Sequence, residues 1–244
     1  MVVGAQAVYF HTGAAPVAIA ESTKDSDLAL DPRSLSDDPR VEAAMRSAGF
    51  ELDPRVNQPG AWMSRDGIPV DLMVPEALAG GSSRRSAVHP PHDKRTMRRA
   101  AGLEAAMVDH GEMTIASLSA DDPRRIPANV AGPAALIVAK VHKLGERQDH
   151  PSRLVNKDAH DLYRLLVAIP TAPLAESLAV LRETQLAGPV TRAAIGWMRD
   201  LFAAGPDALG SQMAARAEAG IGLPETVAQQ CAVLAQDLLA ALSE

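Results

Sequence analysis

The sequence predicts an α+β protein: an N-terminal mixed sheet with flanking helices over residues 1–132, then a C-terminal helical bundle domain over residues 133–244. Two observations predict it. Up to Gly132-Pro133, short β-like runs such as residues 68–74 alternate with turn residues. Beyond that point the chain is rich in Ala and Leu, with apolar positions at i, i+3 and i+4. A third observation, aspartates set in strand-like runs, places the chemistry in the first half.

The elements follow in order. Val2-Val3 reads as the end of a strand, Gly4 breaks it, and residues 5–12 read as a short helix. Strand-like sequence at the very start fits a shortened first element or a natural start upstream. Residues 23–30 read as a strand. Asp-Asp-Pro opens a helix over 38–48, and Gly49 closes it as a C-cap glycine. Trp62-Met63-Ser64 and residues 68–74 form a hairpin across Arg65-Asp66-Gly67. Residues 104–108 and 112–116 are further β candidates. Gly80-Gly81-Ser82-Ser83 and Pro90-Pro91 mark 79–92 as a mobile loop. Pro133 suits the first turn of a helix running to 147. Further helices are expected over 156–168, 173–187, 189–204, 206–218 and 224–243.

Composition narrows the class. A chain of 244 residues can bury a real core, and with aromatics at only 3% that core is built from Ala, Val, Leu, Ile and Met. A net charge of -6 argues against coating nucleic acid by overall charge, though not against a local basic patch. The single cysteine, Cys231, falls in an apolar helix pattern as core filler, so there is no disulfide framework and no paired-cysteine metal site. No apolar stretch reaches about 18 residues, so no membrane span is expected. Nor is there a signal-peptide pattern, and cytoplasmic residence follows by default.

Asp25 and Asp27 sit two apart in a strand-like run, so their side chains share one face. Asp71, between Val70 and Leu72, reads as part of a half-buried strand. If the strands are neighbours, three acids converge. Carboxylates that close cannot all stay ionised without a cation, and Mg²⁺, which works with substrate phosphates, is the natural candidate. On its own such an Asp-x-Asp pair reads equally as the solvated face of a sheet.

Three other groups stand out. Lys140, with Lys143 one turn on, lies in a strongly apolar helix and reads by itself as a snorkelling lysine. Asp158 and Asp161 open a helix, where acids favour its dipole. Arg84, Arg85, Lys94, Arg95, Arg98 and Arg99 form a basic stretch opposed only by Asp93, a solvated run or an RNA-backbone arm. His89 and His92 lack a third partner for metal binding, and His11, His142, Trp62 and Trp197 read as structural.

Val2-Val3-Gly4-Ala5, Asp25-Ser26-Asp27 and Val70-Asp71-Leu72 together resemble the DNA polymerase β-like nucleotidyltransferase superfamily. Lys140 to Arg147 and Lys157-Asp158-Ala159-His160-Asp161-Leu162 resemble the Lys-x₆-Arg and Asp-x-x-Asp-Leu blocks of AbiEii/MenT-type nucleotidyltransferase toxins. The resemblance covers roughly residues 2–165. It implies that Asp25 and Asp27 hold Mg²⁺ against an NTP, and that Asp71 serves as second-metal ligand or general base. It implies nucleotide contacts at Gly4, Ala5, Thr23, Lys140 and Lys143, with Asp158 orienting Lys140 or the nucleotide. It also implies tRNA as leading acceptor and a cognate antitoxin as partner. The family's turn carries Gly or Ser where this chain has Ala5, so a hydroxyl contact to phosphate is missing. Two rivals stand beside this expectation: transfer to a small molecule such as an aminoglycoside, and a degenerate, non-catalytic binding module.

Overall fold

A computed structural model describes residues 1–13, 15–17, 25–117, 119 and 121–243. The chain is α+β, with a mixed eight-stranded sheet and eight α-helices among the described residues. The strands are β1 (Val2–Val3), β2 (Ser26–Ala29), β3 (Phe50–Leu52), β4 (Ala61–Ser64), β5 (Pro69–Pro75), β6 (Arg98–Ala100), β7 (His110–Ala116) and β8 (Arg125–Ala131). Their order is β3-β4-β5-β2-β1-β8-β7, with β6 beside the C-terminal half of β5.

Register decides what meets what. β1 runs antiparallel to β2, pairing Val3 with Asp27. β2 runs parallel to β5, pairing Asp27 with Asp71. One edge of β5 is shared: residues 69–71 pair with β4 and residues 73–75 with β6. The handover occurs at Gly60, whose φ of +79° and lack of side chain let Leu72 and Arg98 close on it. A Cβ there would sit 2.8 Å from the Arg98 nitrogen.

The helices are α1 (Gly4–Thr12), α2 (Val41–Ser47), α3 (Pro133–Gly145), α4 (Asn156–Ala168), α5 (Thr171–Glu183), α6 (Gly188–Met198), α7 (Leu209–Ala217) and α8 (Pro224–Ala241). A five-residue π-helical segment, Arg199–Ala203, extends α6. One hydrophobic core runs from Val2 and Val3 through α1, β8 and α3 to Leu238 in α8, so sheet and bundle are packed on each other. A smaller cluster around Trp62, Leu72, Val74 and Met97 lies at the other end of the sheet. Its largest member is anchored by a hydrogen bond, as Trp62 Nε1 donates to the Thr96 carbonyl at 2.9 Å.

α3 has a built start. Pro133 occupies its first position. The Asp109 carboxylate accepts the Ala135 N–H at 2.8 Å, serving one of the donors that a helix start leaves unpaired. Gly132 leaves room for that carboxylate, which a Cβ would strike.

The departures from the sequence reading have physical causes. Residues 104–108 are not a strand: Glu104–Met107 is a 3₁₀ turn whose buried Glu104 accepts the Ala77 N–H at 2.9 Å. β8 is an unexpected strand because Pro127 lies inside it. Pro127 sits in its outer half, which pairs only with β7, and an edge tolerates a proline there. The expected helix over 38–48 begins at Val41, beyond Pro39. The strand expected over 23–30 covers Ser26–Ala29, and Asp25 stands on a bend just before it. The 79–92 segment is tied in: Ala79 and Ala87 are fully buried, and the Val88 N–H donates to the Ala79 carbonyl at 2.7 Å. No single helix among the described residues is long and apolar enough to cross a membrane. α4 and α5 pass that test together only across a 117° bend.

Candidate active site

A cleft of about 600 Å³ opens between the sheet and α3. Asp25, Asp27 and Asp71 line one side of it, with Val3 and Gly4. Lys140, Lys143 and Arg147 line the other, and Arg153 follows them. The strand pairing of Asp27 with Asp71 explains the acidic wall, since partners on adjacent strands present their side chains to the same face.

Gly4 makes the Asp27 position available. Its φ is +68°, and a Cβ on it would collide with the Asp27 carboxylate. Backbone and carboxylate are therefore in contact at the point where β1 turns into α1. Ala5 is buried in the first turn of α1. Thr23, the remaining expected nucleotide contact, lies outside the described residues.

Burial raises the Asp27 pKa above the ordinary carboxylate range. The charge of Asp25 adds to the shift, Arg98 opposes it, and Asp71 adds a smaller push upward. This is the repulsion the sequence anticipated. Asp71 is tied more firmly. Arg98 donates to its Oδ2 through Nε at 3.2 Å and Nη2 at 3.1 Å, and Gln58 Nε2 donates to the same oxygen at 3.3 Å. Among the described residues no group of three or more His, Cys, Asp or Glu side chains is arranged to hold a metal ion. The donor chemistry of Asp25 and Asp27 nonetheless suits Mg²⁺, a hard ion commonly held by one or two carboxylates plus substrate phosphates.

Lys140 does not snorkel. It is 7% exposed, and its Nζ donates to Asp161 Oδ2 at 2.6 Å and Asp158 Oδ1 at 3.1 Å. Burial disfavours its ammonium, but the attraction of Asp161 and Asp158 outweighs that cost and lifts its pKa above the usual lysine range. Burial also works against the Asp158 carboxylate, and the charges of Lys140 and Lys143 overcome it, lowering its pKa. Lys143 donates to Asp158 at 2.8 Å. Asp158 and Asp161 thus hold the two lysines of α3 rather than solvate a helix start.

The basic stretch divides. Arg84, Arg98 and Arg99 line the cleft, while Arg85, Lys94 and Arg95 are exposed and do not. Arg99 reaches back to the Gly80 carbonyl at 3.3 Å. His92 Nδ1 accepts the Val41 N–H at 3.3 Å, which ties this segment to the start of α2. His11 bonds the Ala131 carbonyl, and His142 packs edge-on against Trp197.

Sequence reasoning missed two groups. One is Gln58, whose only signal is its place before the glycine turn at 59–60. The other is a buried set in the bundle, where His160 Nε2 meets Glu218 Oε1 at 2.8 Å and Tyr163 Oη donates to Gln230 at 2.5 Å. A second cavity, about 280 Å³, lies beside Val56, Ala61, Trp62 and Pro69, and shares Asp25, Gln58 and Asp71 with the main cleft. Asp25 and Asp71 therefore stand between two cavities, while Asp27 lines the larger alone. Comparisons with protein-family models, with curated proteins and with solved structures find no match to this chain.

Proposed function

We propose that this protein is a Mg²⁺-dependent nucleotidyltransferase that moves a nucleotide from an NTP to a hydroxyl of an RNA acceptor, with tRNA foremost. The reading is supported chiefly by one observation: Asp25, Asp27 and Asp71 line one wall of the larger cavity, and Lys140, Lys143 and Arg147 line the other. A donor nucleotide and an acceptor strand sharing the larger cleft would meet at Asp25 and Asp71.

The balance of charge in the main cleft supports a polyanionic acceptor. Seven basic and five acidic side chains line the main cleft. That suits a polyanion in the main cleft, whereas the smaller cavity, lined by Asp25, Asp53 and Asp71 with no basic side chain among the described residues, is the feature that favours the rival, a cationic small-molecule acceptor. Asp25 and Asp27 would hold the Mg²⁺, which offsets phosphate charge when bound. Lys143 and Arg147 face the same space and suit the triphosphate. Asp158 holds Lys140 and Lys143, so the phosphate wall is preorganised, and catalysis of this kind depends on positioning and electrostatics. In keeping with the resemblance, we assign it the role of a toxin with a cognate antitoxin, acting in the cytoplasm.

The test is incubation of the purified protein with total tRNA and each labelled NTP in turn. Label in RNA from one NTP, lost in Asp25→Ala and Asp27→Ala variants that melt like wild type, is the expected result. No label from any NTP, or full transfer by either variant, would reject the reading.

A further inference from the structure

Three aspartates at one cleft invite two metal ions, but one of the three already has a cation. Asp71 Oδ2 accepts three N–H donors: Nε and Nη2 of Arg98 and Nε2 of Gln58. Three donors already occupy that oxygen, and the positive charge of Arg98 held against it repels a second cation from the rest of the carboxylate. Arg98 is also not a loose surface side chain. Its ion pair with Asp71 is about three-quarters shielded on both partners. Its backbone is fixed by β6, in register with Met73 of β5, and by a bridge to Ser86. Gly60 is the second anchor, since any side chain there would push against the Arg98 backbone and its Cγ.

The charges agree with this division. Asp25 and Asp27 form one acidic pair, while Asp71 and Arg98 form a near-neutral pair beside it. Arg98 acts across both, because its charge offsets the repulsion felt at Asp27. It also faces Arg147 on the opposite wall, whose pKa is lowered by burial, with Arg153 and Arg98 adding to the shift.

Building on the nucleotidyl-transfer reading, we infer that the site takes a single divalent ion, on Asp25 and Asp27, and that Arg98 is the built-in cation standing where a second ion would act. Arg98 is then a positioning residue. It fixes Asp71 through Oδ2 and leaves Oδ1, which accepts no hydrogen bond among the described residues, toward the acceptor. In the transfer step the acceptor oxygen bonds to the α-phosphorus and its proton passes to Asp71 Oδ1. The bond from that phosphorus to the bridging oxygen breaks, and its electron pair leaves with pyrophosphate. A loose phosphoryl-transfer transition state asks little basicity of such a carboxylate.

The experiment is a Mn²⁺ titration of the full chain, without nucleotide, followed by electron paramagnetic resonance. Wild type should bind one ion. Asp25→Asn and Asp27→Asn should each weaken it by about tenfold or more, a ligand being lost. Asp71→Asn should change it by less than about threefold, and Arg98→Lys should keep one ion. Arg98→Gln should gain a second, weaker ion that disappears when Asp71→Asn is added. Two ions in wild type, with one lost in Asp71→Asn, would overturn the inference while leaving the metal-dependent reading in place. One ion lost equally in Asp71→Asn would do the same. No binding at millimolar Mn²⁺ would overturn both.

Discussion

Replacing Lys140 with methionine tests the physical core of the site. In wild type the ammonium serves two carboxylates that are 6% and 1% exposed at the side chain. Asp158 keeps Lys143 after the change, but Asp161 loses the one donor it has among the described residues, where its Oδ1 also finds no partner. Removing one partner of a buried ion pair costs about 3–5 kcal/mol, because the other charge is left uncompensated. One stranded carboxylate rather than two places Lys140→Met near the lower end, about 3 kcal/mol. For a chain of this size, with a urea m value of about 3 kcal/mol/M, the unfolding midpoint falls by about 1 M. The pH dependence carries a sign. Lys140 has a raised pKa, so its contribution is complete below the unfolded lysine value and is lost as pH climbs through the folded one. Asp158 has a lowered pKa, so its share is present above the unfolded aspartate value and is lost as pH falls through the folded one. In Lys140→Met the stranded acid can take a proton, so the gap to wild type should narrow between pH 7 and pH 4.5. Adding Asp161→Asn should recover more than half of the loss. A single variant within about 1 kcal/mol of wild type, or a double variant no more stable than the single, would refute the reasoning.

Three further outcomes are expected. Gly4→Ala should lose about 1–2 kcal/mol from its left-handed backbone alone, and should abolish transfer because the new methyl occupies the Asp27 carboxylate's place; a melting scan and the labelled-NTP assay check both. Asp27, with its raised pKa, works against the fold when ionised, so Asp27→Asn should melt above wild type at pH 7 while losing Mn²⁺. For the same reason wild-type Mn²⁺ affinity should begin to fall above the ordinary aspartate range as pH is lowered, and a flat profile down to pH 4.5 would count against it. Asp109→Ala should cost about 1 kcal/mol in chemical denaturation, as expected for loss of a helix-start acceptor.

How much of this was legible in the sequence differs residue by residue. The convergence of Asp27 and Asp71 could be read, because strand alternation and apolar flanks are local signals. The role of Arg98 could not: it lies in a run of basic residues, and only the β5–β6 register separates it from Lys94 and Arg95. Lys140 was legible in part: the resemblance linked Asp158 to it, but its own surroundings did not. A lysine in an apolar helix looks as though it must reach water, and its carboxylate partners lie a helix away at positions that equally suit a helix start. β8 was hidden by Pro127, which local rules penalise without knowing that the strand's outer half lies on an edge. The contact of His160 with Glu218 spans 58 residues, and no spacing rule connects them.

The site's two walls come from different parts of the chain, and the basic wall is built into packed elements. The acids hang on β2 and β5, and the lysines on α3. α3 is fixed at its start by Asp109 and Pro133, along its length by the hydrophobic core, and near its end by the lysine pairs with α4. Phosphate charge would therefore be met by groups already in place. Such a site gains more from rigidity than from closure, because preorganised charge costs no reorganisation when the reaction occurs. The buried Lys140–Asp161 pair, weak as a source of net stability, then has a second reason to exist. It ties α3, which carries Lys143 on the cleft wall, to α4, and so links the stability measurement on Lys140 to the chemistry proposed for Asp25 and Asp71.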